Sequence, residues 1–134
     1  MIGRIAAVAA LTCSVALPAS ACVARLDGAR SIDAARHTLA FRTDPAKVTV
    51  GKPFAVEVAV CPKDPALAID GLGVDAHMPA HRHGMNYRPG IKPLGAPGRF
   101  RADGLMFHMP GHWELLFDVR DARGSERIRA EVRL

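Results

Sequence analysis

Apolar and polar residues alternate in short runs over most of the chain from residue 37 onward. The segments 54–60 (FAVEVAV), 112–119 (HWELLFDV) and 126–134 (ERIRAEVRL) repeat apolar residues with a period of two. Successive side chains of an extended strand point to opposite faces, so this period predicts strands that bury one face. Prolines and glycines interrupt the runs about every ten residues, which is typical of a small antiparallel sandwich or barrel.

The pattern predicts about seven strands in one all-β domain that covers residues 37–134. The strands are placed at 38–43, 47–50, 54–60, 68–78, 100–109, 112–119 and 126–134. Residues 79–98 hold four prolines and four glycines and are predicted to be a long loop. Residues 22–36 show weak periodicity and are predicted to be a connector that could hold a helical turn. A chain of 134 residues is long enough for one domain with a modest core.

Residues 1–21 have the features of a secretory signal peptide. Arg4 supplies a positive charge, residues 5–17 form an apolar run that is short for a membrane span, and residues 19–21 (ASA) form a small-residue cleavage site. This prediction places the mature domain in the periplasm or another extracytoplasmic compartment. An uncleaved N-terminal anchor is the alternative.

Cys22 follows the predicted cleavage site, and Cys61 is the other cysteine of the mature chain. Two cysteines in an oxidising compartment favour a disulfide between them, which would tie the N-terminal segment to the domain. Lipoproteins are acylated on a cysteine at this position, so a lipid anchor on Cys22 is the alternative. In that case Cys61 would be a free thiol.

The basic composition does not change this picture. The formal net charge is +5 and the isoelectric point is about 9.6, but lysines and arginines are scattered singly among acidic residues. A nucleic-acid interface would concentrate basic and aromatic residues on one face, so nucleic acid is not an expected partner. The mature chain also lacks a serine nucleophile elbow and a glycine-rich phosphate loop, so an enzyme is not expected.

The most distinctive feature of the mature chain is the concentration of its histidines and methionines. Nine of these ten residues lie between His77 and His112, and His37 is the exception. They form two dense pieces, HMPAHRHGM at 77–85 and MFHMPGH at 106–112. A hairpin could bring the two pieces together.

Residues two apart in an extended segment share a face, which gives the two pieces a common set of donors. His81, His83 and Met85 would project together from the first piece, and Met106 and His108 from the second. Thioether sulfur selects Cu(I), and imidazole suits copper in either oxidation state. Calcium and magnesium would need more carboxylates, and zinc seldom takes methionine. The sequence therefore predicts copper as the ion.

The full set of predicted copper ligands is His77, His81, His83, Met85, Met106 and His108. Within it, His77 is a ligand or a hydrogen-bonding support for other ligands. Met78 and Met109 are predicted to be core residues, because a methionine on a strand more often fills a core than binds a metal. His112, next to Trp113, is predicted to be solvated.

The two pieces resemble the YtkA-like domain, which is related to the FixH family. The likeness covers residues 38–134 and is strongest over 75–119, where MPxHxHGM and LxFHMPGxW stand at 78–85 and 105–113. The resemblance implies an immunoglobulin-like β-sandwich exported to the periplasm, of a kind that often accompanies copper or cytochrome-oxidase machinery. The motif positions that it carries over are His77, Met78, His81, His83, Met85, His108 and Met109. His112 departs from the pattern, and the transmembrane anchor expected of FixH is not visible.

Two functions are consistent with these observations. The first is a periplasmic copper-binding protein of the chaperone or buffer type. Its ligand is a copper ion, and its partner is a membrane or periplasmic protein of the copper and oxidase machinery. The second is an immunoglobulin-like interaction module without metal, in which residues 79–98 contact a protein and the His and Met residues are packing elements.

Overall fold

The computed structural model describes residues 21–134. The predicted signal peptide, apart from Ala21, lies outside the described residues. The described chain forms nine strands and a short 3-10 helix at Pro79–His81. The strands are β1 (Arg30–Asp33), β2 (His37–Asp44), β3 (Phe54–Pro62), β4 (Gly71–Met78), β5 (His83–Gly84), β6 (Gly90–Pro93), β7 (Arg99–Leu105), β8 (His112–Asp121) and β9 (Gly124–Arg133).

The strands form two antiparallel sheets that pack face to face around the core. The first sheet has the order β1-β2-β3-β7-β6, and the second has the order β5-β4-β8-β9. The prediction of an all-β antiparallel sandwich is therefore confirmed. Strands β8 and β9 pair along their whole length, from His112 opposite Arg133 to Asp121 opposite Gly124.

Six of the seven predicted strands are confirmed, but the strand predicted at residues 47–50 is wrong. Lys52 N donates to Thr49 O at 3.1 Å, which bends the backbone into a turn. Strand β1 lies within the predicted connector, which holds no helix, and β5 and β6 lie within the predicted loop. These three are all short edge strands, so they have too few residues to show a period.

The core lies between the two sheets and follows the predicted alternation. Val56, Val58, Leu115 and Phe117 are 0% exposed. Phe41 of the first sheet meets Phe117 of the second with ring centroids 5.1 Å apart. Burial of each large apolar side chain stabilises the fold by about 1.5–3 kcal/mol, and these contacts hold the two sheets together.

A disulfide joins Cys22 to Cys61, which confirms the predicted pairing. Cys61 is buried on β3, so the bridge fastens the segment before β1 to the first sheet. Because its sulfur is in the disulfide, Cys22 does not present the thiol that acylation requires, and the lipid-anchor alternative is not supported. A disulfide is compatible with an oxidising extracytoplasmic compartment. Among residues 21–134, no helix is long and apolar enough to cross a membrane.

A buried ionic group joins the two sheets at the end of the sandwich that carries the disulfide. The His37 side chain is 0% exposed, with Nδ1 2.6 Å from Glu126 Oε2 and Nε2 3.1 Å from Asp121 Oδ2. The Arg36 amide donates to the same Glu126 carboxylate at 3.1 Å. Burial acts to raise the pKa of Glu126, but the hydrogen bonds from His37 and Arg36 outweigh it and hold the pKa below its ordinary value. The group therefore links β2 to the β8–β9 hairpin.

Candidate metal centre

The first donor segment lies at the end of the sandwich opposite the disulfide. Strand β4 ends at Met78, the 3-10 helix follows, and Arg82 takes a left-handed conformation at φ 52° before β5 begins at His83. The prediction of one extended segment is therefore wrong between Pro79 and Arg82. Pro79 lacks the N–H that a strand ladder needs but suits the first position of a helical turn.

The second donor segment follows β7, which ends at Leu105, earlier than predicted. Leu105 and Phe107 are 0% exposed, whereas Met106 is half-buried and His108 is exposed. The alternation of inward and outward side chains therefore continues beyond the last strand pair. Gly51 N donates to Phe107 O at 2.8 Å, which holds this segment against the first sheet.

Three imidazoles from the two segments come together, and we call His81, His83 and His108 the histidine cluster. The ring centroids of His81 and His83 are 5.7 Å apart, and those of His83 and His108 are 5.2 Å apart. A metal bound through a ring nitrogen at about 2 Å lies roughly 3 Å from the ring centroid, so two imidazoles on one ion have centroids up to about 6 Å apart. Both separations lie within this limit.

The cluster is not a preformed site made of histidines alone. Among residues 21–134, no group of three or more His, Cys, Asp or Glu side chains is placed to hold a metal ion. An ion here would need methionine sulfur beside the imidazoles, or a rotation of His81 and His108 on binding. Both of these histidines are exposed, and exposed side chains change rotamer readily.

His83 has one ring nitrogen engaged by the protein. Its Nδ1 lies 3.2 Å from the carbonyl oxygen of Gly84. The tautomer with a proton on Nδ1 donates to this oxygen and leaves the lone pair of Nε2 available to a metal. His83 is half-buried and contacts both other rings, so it is the central member of the histidine cluster.

An aromatic stack forms the floor of the histidine cluster. Trp113 and Phe107 are 0% exposed and stack with centroids 4.7 Å apart, and Phe107 packs on Phe54 at 4.8 Å. The indole meets the ring of His83 at 6.0 Å and 69°, and the ring of His108 at 5.3 Å and 83°. These are edge-to-face contacts of the kind that aromatic rings prefer. Period-two patterning places Trp113 on a buried face but gives no sign that it lies beneath histidines.

The bend between β7 and β8 is fastened from several sides. Trp113 Nε1 donates to Met109 O at 3.0 Å, and Gly111 and Leu134 exchange two backbone hydrogen bonds of 3.1 Å. Gly111 has φ 130°, and a Cβ there would come within 2.9 Å of the Met78 methyl group. Only glycine suits this position, and the bend holds the second donor segment over the indole.

His77 and His112 lie outside the histidine cluster. His77 Nε2 lies 2.7 Å from Oε2 of Glu114, its register partner on β8. Because His77 is next to buried Met78 on β4, it points to the outer face of the second sheet, away from the other predicted ligands. His112, predicted to be solvated, is half-buried, with Nε2 3.5 Å from Oε1 of Glu131.

Three of the four methionines among residues 21–134 pack in or against the core, and the fourth lies on the side of its segment that carries His108. Met78 is 2% exposed, and Met109 packs against the core. Met85 is half-buried and also packs against the core. Met106 is half-buried on the outward side of its segment, the side on which His108 is exposed. Met106 is therefore the methionine whose position best suits it to join the imidazoles.

No protein-family model, no curated protein and no solved structure matches this chain. The likeness to the YtkA-like domain stays a prediction that rests on its two motifs.

Proposed function

We propose that this chain is an exported copper-binding protein of the chaperone or buffer type. The observation that carries the proposal is the approach of His83 to His81 and His108, at 5.7 and 5.2 Å between ring centroids. Met106 supplies sulfur on the side of His108, and Met85 lies two residues after His83 in the other segment. Mixed imidazole and thioether donors favour copper over zinc, calcium and magnesium.

The position of the cluster supports exchange of the ion with a partner. His81 and His108 are exposed at one end of the sandwich, so a second protein can reach an ion bound there. A membrane or periplasmic protein of the copper and oxidase machinery is the partner that this chemistry favours. Export is supported by the signal-peptide features of residues 1–21 and by the Cys22–Cys61 disulfide.

A competition titration tests the proposal. The purified mature protein is titrated with Cu(I) against a chromogenic Cu(I) chelator, beside the triple variant His81→Ala, His83→Ala, His108→Ala. We expect the triple variant to bind at least about a hundredfold more weakly, because metal ligands are lost. Equal affinity of the wild type and the triple variant would end the copper proposal.

The double variant His77→Ala, His112→Ala is the matched control for this titration. It removes the two imidazoles that lie on glutamates away from the cluster, at 2.7 Å from Glu114 and 3.5 Å from Glu131. We expect it to keep wild-type Cu(I) affinity. A loss as large as that of the triple variant would show that binding depends on imidazole number and not on the cluster.

A protein-interaction module without metal is the second candidate, and one observation favours it. Tyr87 and Leu94 are 45% and 47% exposed, and both lie within residues 79–98. Large apolar side chains left exposed in a loop region can serve as contacts for a protein partner. Capture of a secreted or membrane partner that persists under copper chelation, and is lost in Tyr87→Ser, Leu94→Ser, would support this function.

A further inference from the structure

We infer that Trp113 is the residue that makes the histidine cluster selective for Cu(I) over Cu(II) and Zn(II). This inference rests on the proposed copper function and names the oxidation state of the ion. It is carried by the place of a fully buried indole directly beneath two of the three imidazoles. Three properties of that position act in the same direction.

The first property is distance. The centroids of His83, His108 and Trp113 form a triangle with sides of 5.2, 5.3 and 6.0 Å. In this triangle the midpoint between the two imidazole centroids lies about 5 Å from the indole centroid, and roughly 6 Å is the limit for a cation that sits over the face of an aromatic ring. An ion shared by His83 and His108 is therefore a neighbour of the indole.

The second property is charge. The donors on this side of the molecule are imidazoles and thioethers, which carry no negative charge, and the two nearby glutamates already lie on other histidines: Glu114 on His77 and Glu131 on His112. The cost of removing an ion from water rises with the square of its charge. Above an apolar floor of Trp113 and Phe107, a dication without a carboxylate partner is disfavoured far more than Cu(I).

The third property is the number of ligands. The indole covers one side of the space between His83 and His108, and Trp113 is 0% exposed, so solvent does not reach the indole. Ions that require four or more ligands lose the positions that the indole occupies. Cu(I) is satisfied by few soft ligands, so two imidazoles and one thioether suffice.

The emission of Trp113 tests the inference without any substitution, because it is the only tryptophan of the chain. The wild-type protein is titrated with Cu(I) under anaerobic conditions, and with Zn(II) in parallel. We expect Cu(I) to quench or shift the emission in proportion to its binding, and Zn(II) at the same concentrations to leave it nearly unchanged. Cu(I) binding with no change in emission would overturn the inference.

The variant Trp113→Phe supplies the second measurement. It keeps a buried ring but removes the indole and its hydrogen bond to Met109 O. We expect Cu(I) affinity to fall about tenfold while Zn(II) affinity is unchanged or higher, so that selectivity decreases. Phe117→Leu is the control, since it alters a buried aromatic residue of the same strand that packs on Phe41, and it should keep the wild-type ratio.

The outcomes separate this inference from the proposed function. If wild type binds Cu(I) more tightly than the triple histidine variant, but Trp113→Phe and wild type have the same ratio of Cu(I) to Zn(II) affinity, the role of Trp113 is wrong and the copper function stands. If wild type and the triple variant bind Cu(I) equally weakly, both fail. If Trp113→Phe does not fold, the emission titration of the wild type decides.

Discussion

The ring centroid of His83 lies 5.2 Å from that of His108, and this contact joins the edge of the second sheet to the segment that connects the two sheets. His83 begins β5 at the edge of the second sheet, whereas His108 follows β7 of the first sheet. An ion held by both side chains would therefore tie β5 to the segment between β7 and β8. Binding of such an ion would stabilise the fold as well as fill the site.

Met106 lies on the same outward side of its segment as His108, and this position gives the first prediction. Met106→Leu should weaken Cu(I) binding about tenfold, because a soft ligand is replaced by an alkyl group of similar volume. Met109→Leu is its control, since Met109 packs against the core and should retain affinity. Chelator competition measures both variants, and equal losses in the two would contradict the assignment of Met106.

Removal of the disulfide gives the second prediction. The double variant Cys22→Ala, Cys61→Ala should lose about 2–5 kcal/mol of unfolding free energy, because the bridge restricts the unfolded chain. Urea unfolding measures the loss, and reduced wild type should show a similar one. Thiol labelling checks the premise: both cysteines should react only after reduction. Reaction of Cys61 in the non-reduced protein would contradict the pairing.

The pH dependence of stability gives the third prediction. The pKa of Glu126 is held below its ordinary value of 4.5. Its contribution to stability is therefore complete above pH 4.5 and is lost as the pH falls through the lower value in the folded protein. Glu126→Gln should cost about 1–3 kcal/mol at pH 7, since buried His37 loses one of its two carboxylate partners, and should flatten the decline below pH 4.5.

Urea unfolding at a series of pH values between 7 and 3 measures this effect. The control is Glu131→Gln, because Glu131 is 61% exposed and lies 3.5 Å from His112. It should change stability by less than about 0.5 kcal/mol at any pH. Arg127 also lowers the pKa of Asp118, so Asp118 adds its own loss of stability at low pH. Wild type, Glu126→Gln and Glu131→Gln share this loss. A decline as steep in Glu126→Gln as in wild type would refute the role of Glu126.

A close backbone approach gives the fourth prediction. Gly98 has φ 70°, its carbonyl accepts from Val60 N at 2.8 Å, and a Cβ at this position would collide with Val60 O. Gly98→Ala should destabilise the protein by about 1–3 kcal/mol, because alanine is strained in the left-handed backbone conformation and its Cβ would clash with Val60 O. Gly90→Ala is the control: its Cβ has free space, so thermal unfolding should distinguish the two variants.

Much of the fold could be predicted from local pattern. The runs that became β3, β8 and β9 alternate with a period of two, and the pleat of a strand makes burial alternate whichever strand lies beside it. The short edge strands β1, β5 and β6 escaped the prediction, because their backbone pairing is supplied by a neighbour distant in sequence. A residue pattern of four positions or fewer carries no information on such a partner.

The candidate site shows the same division more sharply. Residue type alone identified His81, His83, His108 and Met106 as soft donors. It also assigned His77 to the same set, but His77 is one position from buried Met78 on β4, and this single step turns it to the opposite face. Register along a strand decides such an outcome, and register depends on partners that composition and spacing do not reveal.

Residue alternation was enough to place the six longer strands, and residue type identified the cysteine pair and the candidate donors, because both are local properties of the chain. Which imidazoles meet depends on the folded chain as a whole. That meeting depends on the left-handed turn at Arg82 and on the bend at Gly111, which bring His83 of β5 and His108 of the β7–β8 connection to the buried indole of Trp113. Contacts between sheets arise from packing of the whole core, so no segment of the chain encodes them alone.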